Sequence, residues 1–432
     1  MTDGRVVIVG GGAAAAWLVM ALLRRGVEGI DVVEPAAEIG RGLAYATSFP
    51  MHLLNVPADK MDMEVEPGDP RFGDWLARVA PRSVPHGYAP RGLYGDFLTA
   101  AFRDAIAGRD VRHRRTRVRA VEPGLSVVLE EGEPIAARAV VLALGNLPPR
   151  RLAPGITDPR IVEDPWAVPP AGRTGQDVLI AGTGLTAIDA VLAIDAADPA
   201  ARFTLTAARA FLPPADAIVE AWPEGGALVG RSPVEAWRTV SRALRREADP
   251  ATGWYRVIDG ARPHVEPIWR AWTPAQKATF WRHGARHWLH HRHRAAPESM
   301  AAIDALMRAG RLSLARGRVS DVRADGDAIE AKVGGVARRV DLLVNATGPS
   351  LDLVSHPVLA GLAHAGLVAP DPNRLGIATS GASEVLDGAG RPVAGLYALG
   401  ALTRGSFFEI VAVPHIRRKA ALVADALKVA LG

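Results

Sequence analysis

The residues with the plainest capacity for chemistry are glycines. Gly10-Gly11-Gly12-Ala13-Ala14-Ala15 follows the short apolar run Arg5 to Val9 without a break, in the spacing GxGxxA. A strand ending on such a cluster turns tightly at Gly10, lets a pyrophosphate approach the backbone at Gly12 and packs its helix closely at Ala15. The Ala-rich helix that begins at Ala13 aims its free N–H groups at the phosphates. The next apolar run, Ile30 to Val33, ends in Glu34, 22 residues beyond Gly12. A carboxylate there accepts hydrogen bonds from both ribose hydroxyls of an adenosine. The pattern recurs at Gly182-Thr183-Gly184-Leu185-Thr186-Ala187, after the apolar run Asp177 to Ala181. Gly182, Gly184, Leu185 and Thr186 are the expected phosphate cradle of this second unit. Its second strand, Phe203 to Ala207, runs into Ala208-Arg209, where NAD would require an acid. A cation suits the 2′-phosphate of NADPH, so NADPH is preferred over NADH and Arg209 is its expected reader.

Two features favour FAD at the first cradle. After Glu34 the chain runs through Gly40-Arg41-Gly42-Leu43-Ala44-Tyr45 and His52-Leu53-Leu54-Asn55-Val56-Pro57, with no quick return to a third strand. Such a path suits a long extended cofactor, with Arg41, Tyr45 and Asn55 along it. The end of the chain carries Gly395-Leu396-Tyr397-Ala398-Leu399-Gly400, then Pro414 and a helix. By architectural analogy, a strand closing on Gly400 returns to the first domain and covers the ribityl chain and ring. Each unit also has an apolar strand that ends on glycine, at Ala143-Leu144-Gly145-Asn146 and at Asn345-Ala346-Thr347-Gly348-Pro349. The expected fold is α/β, with two Rossmann-like dinucleotide-binding domains in a glutathione-reductase-like arrangement. The FAD domain would comprise residues 1–150 and 349–432. The nicotinamide domain, 151–348, is inserted between them, with Pro148 to Pro170 as the crossing linker.

A length of 432 residues allows these domains their own cores. The chain has no cysteine. That excludes disulfide frameworks, Cys-ligated metal sites and the Cys-x-x-Cys exchange chemistry of many flavoproteins with two dinucleotides. A net charge of +5 is modest for this length and gives no reason to expect nucleic acid as a partner. The apolar run Ala13 to Leu23 is too short to span a bilayer and follows a strand, so no membrane is expected and a cytoplasmic location is.

Residues 220–300 form a helical Trp/Arg-rich insertion holding seven of the ten tryptophans. Helices are expected from Pro233 to Arg246 and from Pro274 to His291. His283, His287 and His291, at i, i+4 and i+8, would share a face of the second. Flanking Arg282, Arg286, Arg292 and Arg294 oppose a cation there, so no metal is assigned. An Arg/His helix packed by aromatics, or one that holds substrate or cofactor anions, accounts for the pattern.

Several segments resemble the bacterial YdhS-like FAD/NAD(P)-binding proteins: His52 to Ala58, Arg91-Gly92-Leu93-Tyr94-Gly95, Gly182 to Ala187, Asp259-Gly260-Ala261-Arg262-Pro263, His290-His291-Arg292-His293-Arg294 and Glu409 to Arg417. A more distant similarity is to the class B flavin monooxygenases, including the N-hydroxylating ones. Asp341 to Gly348 looks like their Ala-Thr-Gly motif, with Asn345 where they carry Leu or Phe. Asn55-Val56-Pro57 with Lys60 and Met61 looks like the stretch that sets an Asn beside the flavin. The resemblance implies an FAD- and NADPH-dependent monooxygenase that oxygenates a nucleophilic N or S through a C4a-hydroperoxyflavin. Asn55 would be an active-site hydrogen-bond donor and His52 a second candidate, although both also suit fastening a loop against the FAD. The expected partner is a small-molecule substrate, and the Arg-rich centre suits a carboxylate on it. A flavin dehydrogenase without oxygenation, or a redox sensor that turns nothing over, needs the same two cradles and stays open.

Overall fold

The computed structural model describes residues 4–62, 66–81, 87–167, 174–247 and 249–432. Pro169 and Pro170, the last residues of the expected linker, lie outside the described residues.

Two parallel sheets carry the glycine motifs. In the first, spatial order runs Glu384–Leu386, Pro392–Ala398, Ile135–Leu142, Arg5–Val9, Ile30–Val33, Val111–Arg114. All neighbours are parallel except the edge pair Glu384–Leu386 and Pro392–Ala398. Strands covered on both faces must be apolar along their whole length, and Val6, Val7, Ile8 and Ile30, Val32, Val33 are accordingly buried. The exception, Asp31, is fully buried but neutralised by Arg5 at 2.5 Å and Arg114 at 3.0 Å. Helix Ala13–Arg24 is almost entirely apolar because the final helix, Val413–Leu431, covers the side that a surface helix would show to water.

The second sheet runs Leu312–Arg316, Arg202–Ala207, Asp177–Ala181, Leu342–Asn345, Ile161–Val162, all parallel. An antiparallel meander, Val319–Asp325, Ala328–Val333 and Val336–Val340, precedes its last long strand. In the first unit the ribbon Val118–Glu122 and Ser126–Leu129 precedes Ile135–Leu142 in the same way. The first sheet therefore draws strands from both ends of the chain and the second only from residues 161–345. Among the described residues no helix is long and apolar enough to cross a membrane.

The insertion is helical, with Pro233–Leu244, Pro250–Ala261, Val265–Ala271, Pro274–His283 and Ala285–Arg292 packed around Trp269, Trp272 and Phe408. The single helix expected from Pro274 to His291 is two. The break is Gly284, a poor helix former pressed against the Phe280 ring, where an added Cβ would stand 2.8 Å from it. His283 closes one helix while His287 and His291 belong to the next, so the three do not form one stripe. His287 and His291 instead stack on Trp254, with ring centroids 5.7 and 4.5 Å away.

Candidate functional site

Gly10 turns the chain out of its strand at φ +104°, and a Cβ there would stand 2.5 Å from the Ala143 carbonyl oxygen. Only glycine accepts that combination of angle and contact. Gly12 caps the helix, with no side-chain cap and no acid in the first turn, so the amides of Ala13, Ala14 and Ala15 have no partner within the helix. Gly42 lies over it, close enough that a Cβ on Gly12 would sit 3.6 Å from the Gly42 Cα. Glu34 leaves the end of the neighbouring strand. Its two oxygens accept the N–H groups of Gly11 at 2.8 Å and Ala36 at 3.0 Å. Each oxygen keeps a lone pair for a ribose hydroxyl. Gly400, at φ +84°, brings the end of Pro392–Ala398 against Ala14, and Pro414 opens the helix that packs on Ala13–Arg24.

The second cradle repeats the first. Gly182, at φ +138°, sits closer still to the Ala346 carbonyl, and Gly184 caps helix Leu185–Ala197 with open space around it. That helix also lacks a side-chain cap and an acid in its first turn, leaving the amides of Leu185 and Thr186 free. Arg209 is exposed just beyond the adjacent strand and makes no ion pair among the described residues. A second cation, missed in the sequence reading, stands beside it. Arg316 ends the next strand in register with Ala207 and donates to the Ala208 carbonyl at 3.4 Å. Its signal was its place at the end of a third parallel strand, which becomes visible only once strand order is known.

The remaining site residues divide into free and committed. Asn55 is half-buried and its amide makes no hydrogen bond within the described residues. Gly145, at φ +67°, is exposed and lines a small cavity together with Pro349 and Arg404. Gly348, at φ +85°, turns the chain beside it. Arg41 is held between Glu38 at 2.8 Å and Asp96. Tyr45 meets Tyr94 edge-on at 4.8 Å, and burial pushes its phenol up to about 12. Gly95 lets the Tyr94 helix press on the Tyr45 carbonyl, which explains one glycine of Arg91-Gly92-Leu93-Tyr94-Gly95.

His52 is buried with both ring nitrogens engaged. Nε2 donates to the Asp189 carbonyl at 3.0 Å and Nδ1 accepts from the Thr47 hydroxyl at 2.8 Å. Burial pushes its pKa down. Arg91 pairs with the Asp189 carboxylate at 2.5 Å and stacks over Trp166 at 4.5 Å. His52 and Arg91 thus tie the first unit to the helix behind the second cradle. Thr347 donates its hydroxyl to Asn345 at 2.7 Å, and buried Asn345 donates in turn to Glu163 at 2.8 Å and the Arg150 carbonyl at 3.0 Å. An apolar residue at 345 would leave the crossing segment without that anchor.

The central motifs are partners of one another. Arg294 pairs with Asp259 and Asp216, each at 3.1 Å. Arg292 donates to Glu409 at 2.8 Å and the Trp288 indole donates to the same carboxylate at 2.7 Å. Burial alone would raise the Glu409 pKa, but Arg292, the indole donor and His293 hold it at about 2. Arg292 and Arg294 are therefore occupied by the protein's own carboxylates and are not anion receptors. Arg404 is different. Its guanidinium lies over Trp281 and Phe408 and has no carboxylate in contact among the described residues.

Residues 7–147 match the model of a protein family described as FAD-NAD(P)-binding. No curated protein matches the sequence. Among solved structures, the ornithine hydroxylase of Pseudomonas aeruginosa superposes with a TM-score of 0.67 at 16% identity, covering 99% of this chain and 100% of its own. The ornithine N-hydroxylase of Kutzneria sp. 744, solved with reduced FAD, NADP+ and L-ornithine, gives 0.65 at 17% identity, with 98% of both chains covered. The bacillithiol disulfide reductase of Staphylococcus aureus gives 0.60 at 14% identity over 100% of both chains. The fold is that of flavoproteins with two Rossmann-like domains.

Proposed function

We propose that this chain binds FAD at the Gly10–Glu34 cradle and NADPH at the Gly182–Arg209 cradle, and acts as a monooxygenase on a nucleophilic N or S of a small molecule. The observation that carries the reading is the pair of uncapped glycine N-termini, one beside a carboxylate and the other beside two arginines, in a chain without cysteine. The disulfide chemistry of neighbours such as the bacillithiol disulfide reductase needs a thiol that this sequence lacks. The ornithine N-hydroxylase solved with FAD and NADP+ supports the alternative chemistry. Narrower kinship with YdhS-like proteins is supported by the mutual pairing of their motifs, Asp259 with Arg294 and Arg292 with Glu409.

When bound, FAD supplies the hydride acceptor for NADPH and the activation of oxygen. The protein supplies position. Glu34 receives the ribose hydroxyls, and the amides of Ala13 to Ala15 receive the pyrophosphate. Arg209 and Arg316 hold the 2′-phosphate by charge-assisted hydrogen bonds. Asn55, whose amide makes no hydrogen bond among the described residues, would donate to the flavin. His52, with both nitrogens engaged, is a positioning residue that holds the loop bearing Asn55 to the second unit.

The test is reoxidation by air of protein reduced in two ways, by NADPH or by dithionite without nucleotide. A monooxygenase that retains NADP+ reoxidises more slowly after NADPH, in two phases and with delayed peroxide. One fast phase and one peroxide per flavin in both cases would instead assign a dehydrogenase.

A further inference from the structure

The helical insertion lines an open-sided cavity of about 370 Å³. Protein interiors leave few voids larger than a water molecule, and small-molecule pockets begin at roughly 300 Å³. Its walls are mostly carbon. Trp269, Trp272 and Trp288 line it with Phe280 and Phe408, and each of the three indole N–H groups is spent outside it. They donate to the Gly405 carbonyl at 2.8 Å, the Arg231 carbonyl at 2.7 Å and Glu409 at 2.7 Å. An indole whose single donor is satisfied elsewhere shows a cavity only its ring.

The polar lining is Thr279, His283, Arg286 and His287, on the helices either side of Gly284, together with the indole N–H groups of Trp237 and Trp254. Arg286 donates to His287 Nε2 at 2.9 Å and makes no ion pair among the described residues. Asp and Glu are absent from the lining. An ammonium-bearing side chain, such as those of ornithine or lysine, would find no counter-charge here. Phe408, also in the lining, carries the Arg404 guanidinium 5.5 Å from its ring. Arg404 reaches on to the small cavity beside Gly145 and Pro349, where the last strands of both Rossmann units end.

Resting on the reading of the chain as an enzyme for a small molecule, we propose that this cavity takes the apolar, aromatic-bearing body of a small carboxylate, with Arg286 at its charged end. The apolar walls cover the ligand's body, and the cation fixes which end is outermost. The substrate class therefore departs from the ornithine named for two of the structural neighbours.

The test is a titration of the FAD-loaded protein, without NADPH, with 2-naphthoate, its neutral analogue 2-naphthylmethanol and L-ornithine, followed by tryptophan emission and calorimetry. Both naphthalenes quench saturably, the carboxylate binds more tightly, and ornithine does neither. Val240→Trp, which fills the cavity, weakens both naphthalenes by about tenfold or more. Val234 is 51% exposed at the cavity edge, so Val234→Asp is the variant that keeps its fold if Val240→Trp does not. It weakens 2-naphthoate more than the alcohol. No saturable quenching, or 2-naphthoate affinity unchanged in a folded Val240→Trp protein, would overturn the proposal, and equal affinity for acid and alcohol would overturn its carboxylate. Because binding is read without NADPH, absence of NADPH-driven flavin reduction would sink the function proposed above and leave the cavity standing.

Discussion

The two Rossmann units meet the same steric demand with the same residue and then diverge where a coenzyme would be read. Gly10 faces the Ala143 carbonyl and Gly182 the Ala346 carbonyl, each with positive φ, and each is followed two residues later by a glycine that caps an otherwise uncapped helix. Past that point the first unit offers Glu34 and the second Arg209 and Arg316. In the insertion between them, three helices handle their N-termini in the opposite way. Ser232 and Thr273 close capping boxes with Glu235 and Gln276, and Asp249 caps its helix through Ala251 and Thr252. Helices that close their own N-termini serve structure, whereas the two that follow a strand and a glycine turn leave theirs open to anions.

The largest expected effect breaks the symmetry of the two units. Gly10→Ala and Gly182→Ala each force a Cβ into a carbonyl at an angle alanine avoids, costing about 3 kcal/mol or more. Gly10→Ala should strip FAD, while Gly182→Ala should spare flavin content and abolish NADPH binding, as read by bound-flavin absorbance and calorimetry. Equal loss of flavin in both would show that the units do not read coenzymes separately.

Acid should loosen the insertion. His291 and His293 are pushed down to about 4, chiefly by burial, with nearby cations adding to it. Their folded-state pKa lies below the unfolded value, so between about pH 6.5 and 4 the unfolded chain binds more protons and stability is lost as the pH is lowered. Tryptophan emission, dominated by the insertion, should report melting temperatures that drop across this window. A flat profile would show that these rings are not held neutral by packing. The smallest effect is that of Ser232→Ala, which removes a cap worth about 1 kcal/mol and should leave both coenzyme affinities alone. A change in NADPH affinity would contradict the division between structural and open helix ends.

These contrasts also show what could be read from the chain. Both cradles were legible because strand, glycines and helix lie within a dozen residues and each glycine has one steric reason to be there. Asn345 was not, because its partners Glu163 and Arg150 are 182 and 195 positions away. Arg292 and Arg294 looked like anion receptors for the same reason. Glu409, the partner of Arg292, is 117 residues downstream, and nothing local announces it. The break at Gly284 was visible as a glycine, but only its contact with Phe280 shows why the helix stops there.

The most direct test of the central claim is the anaerobic bleaching of the bound flavin by NADPH and by NADH, in the wild-type protein and in Arg209→Ala. The account predicts saturable bleaching by NADPH at lower concentration than by NADH. It also predicts that Arg209→Ala weakens NADPH by about tenfold or more, as for a lost charged hydrogen bond, while NADH is unchanged. Failure of either nucleotide to bleach the flavin, or an NADPH preference untouched by the substitution, would contradict it.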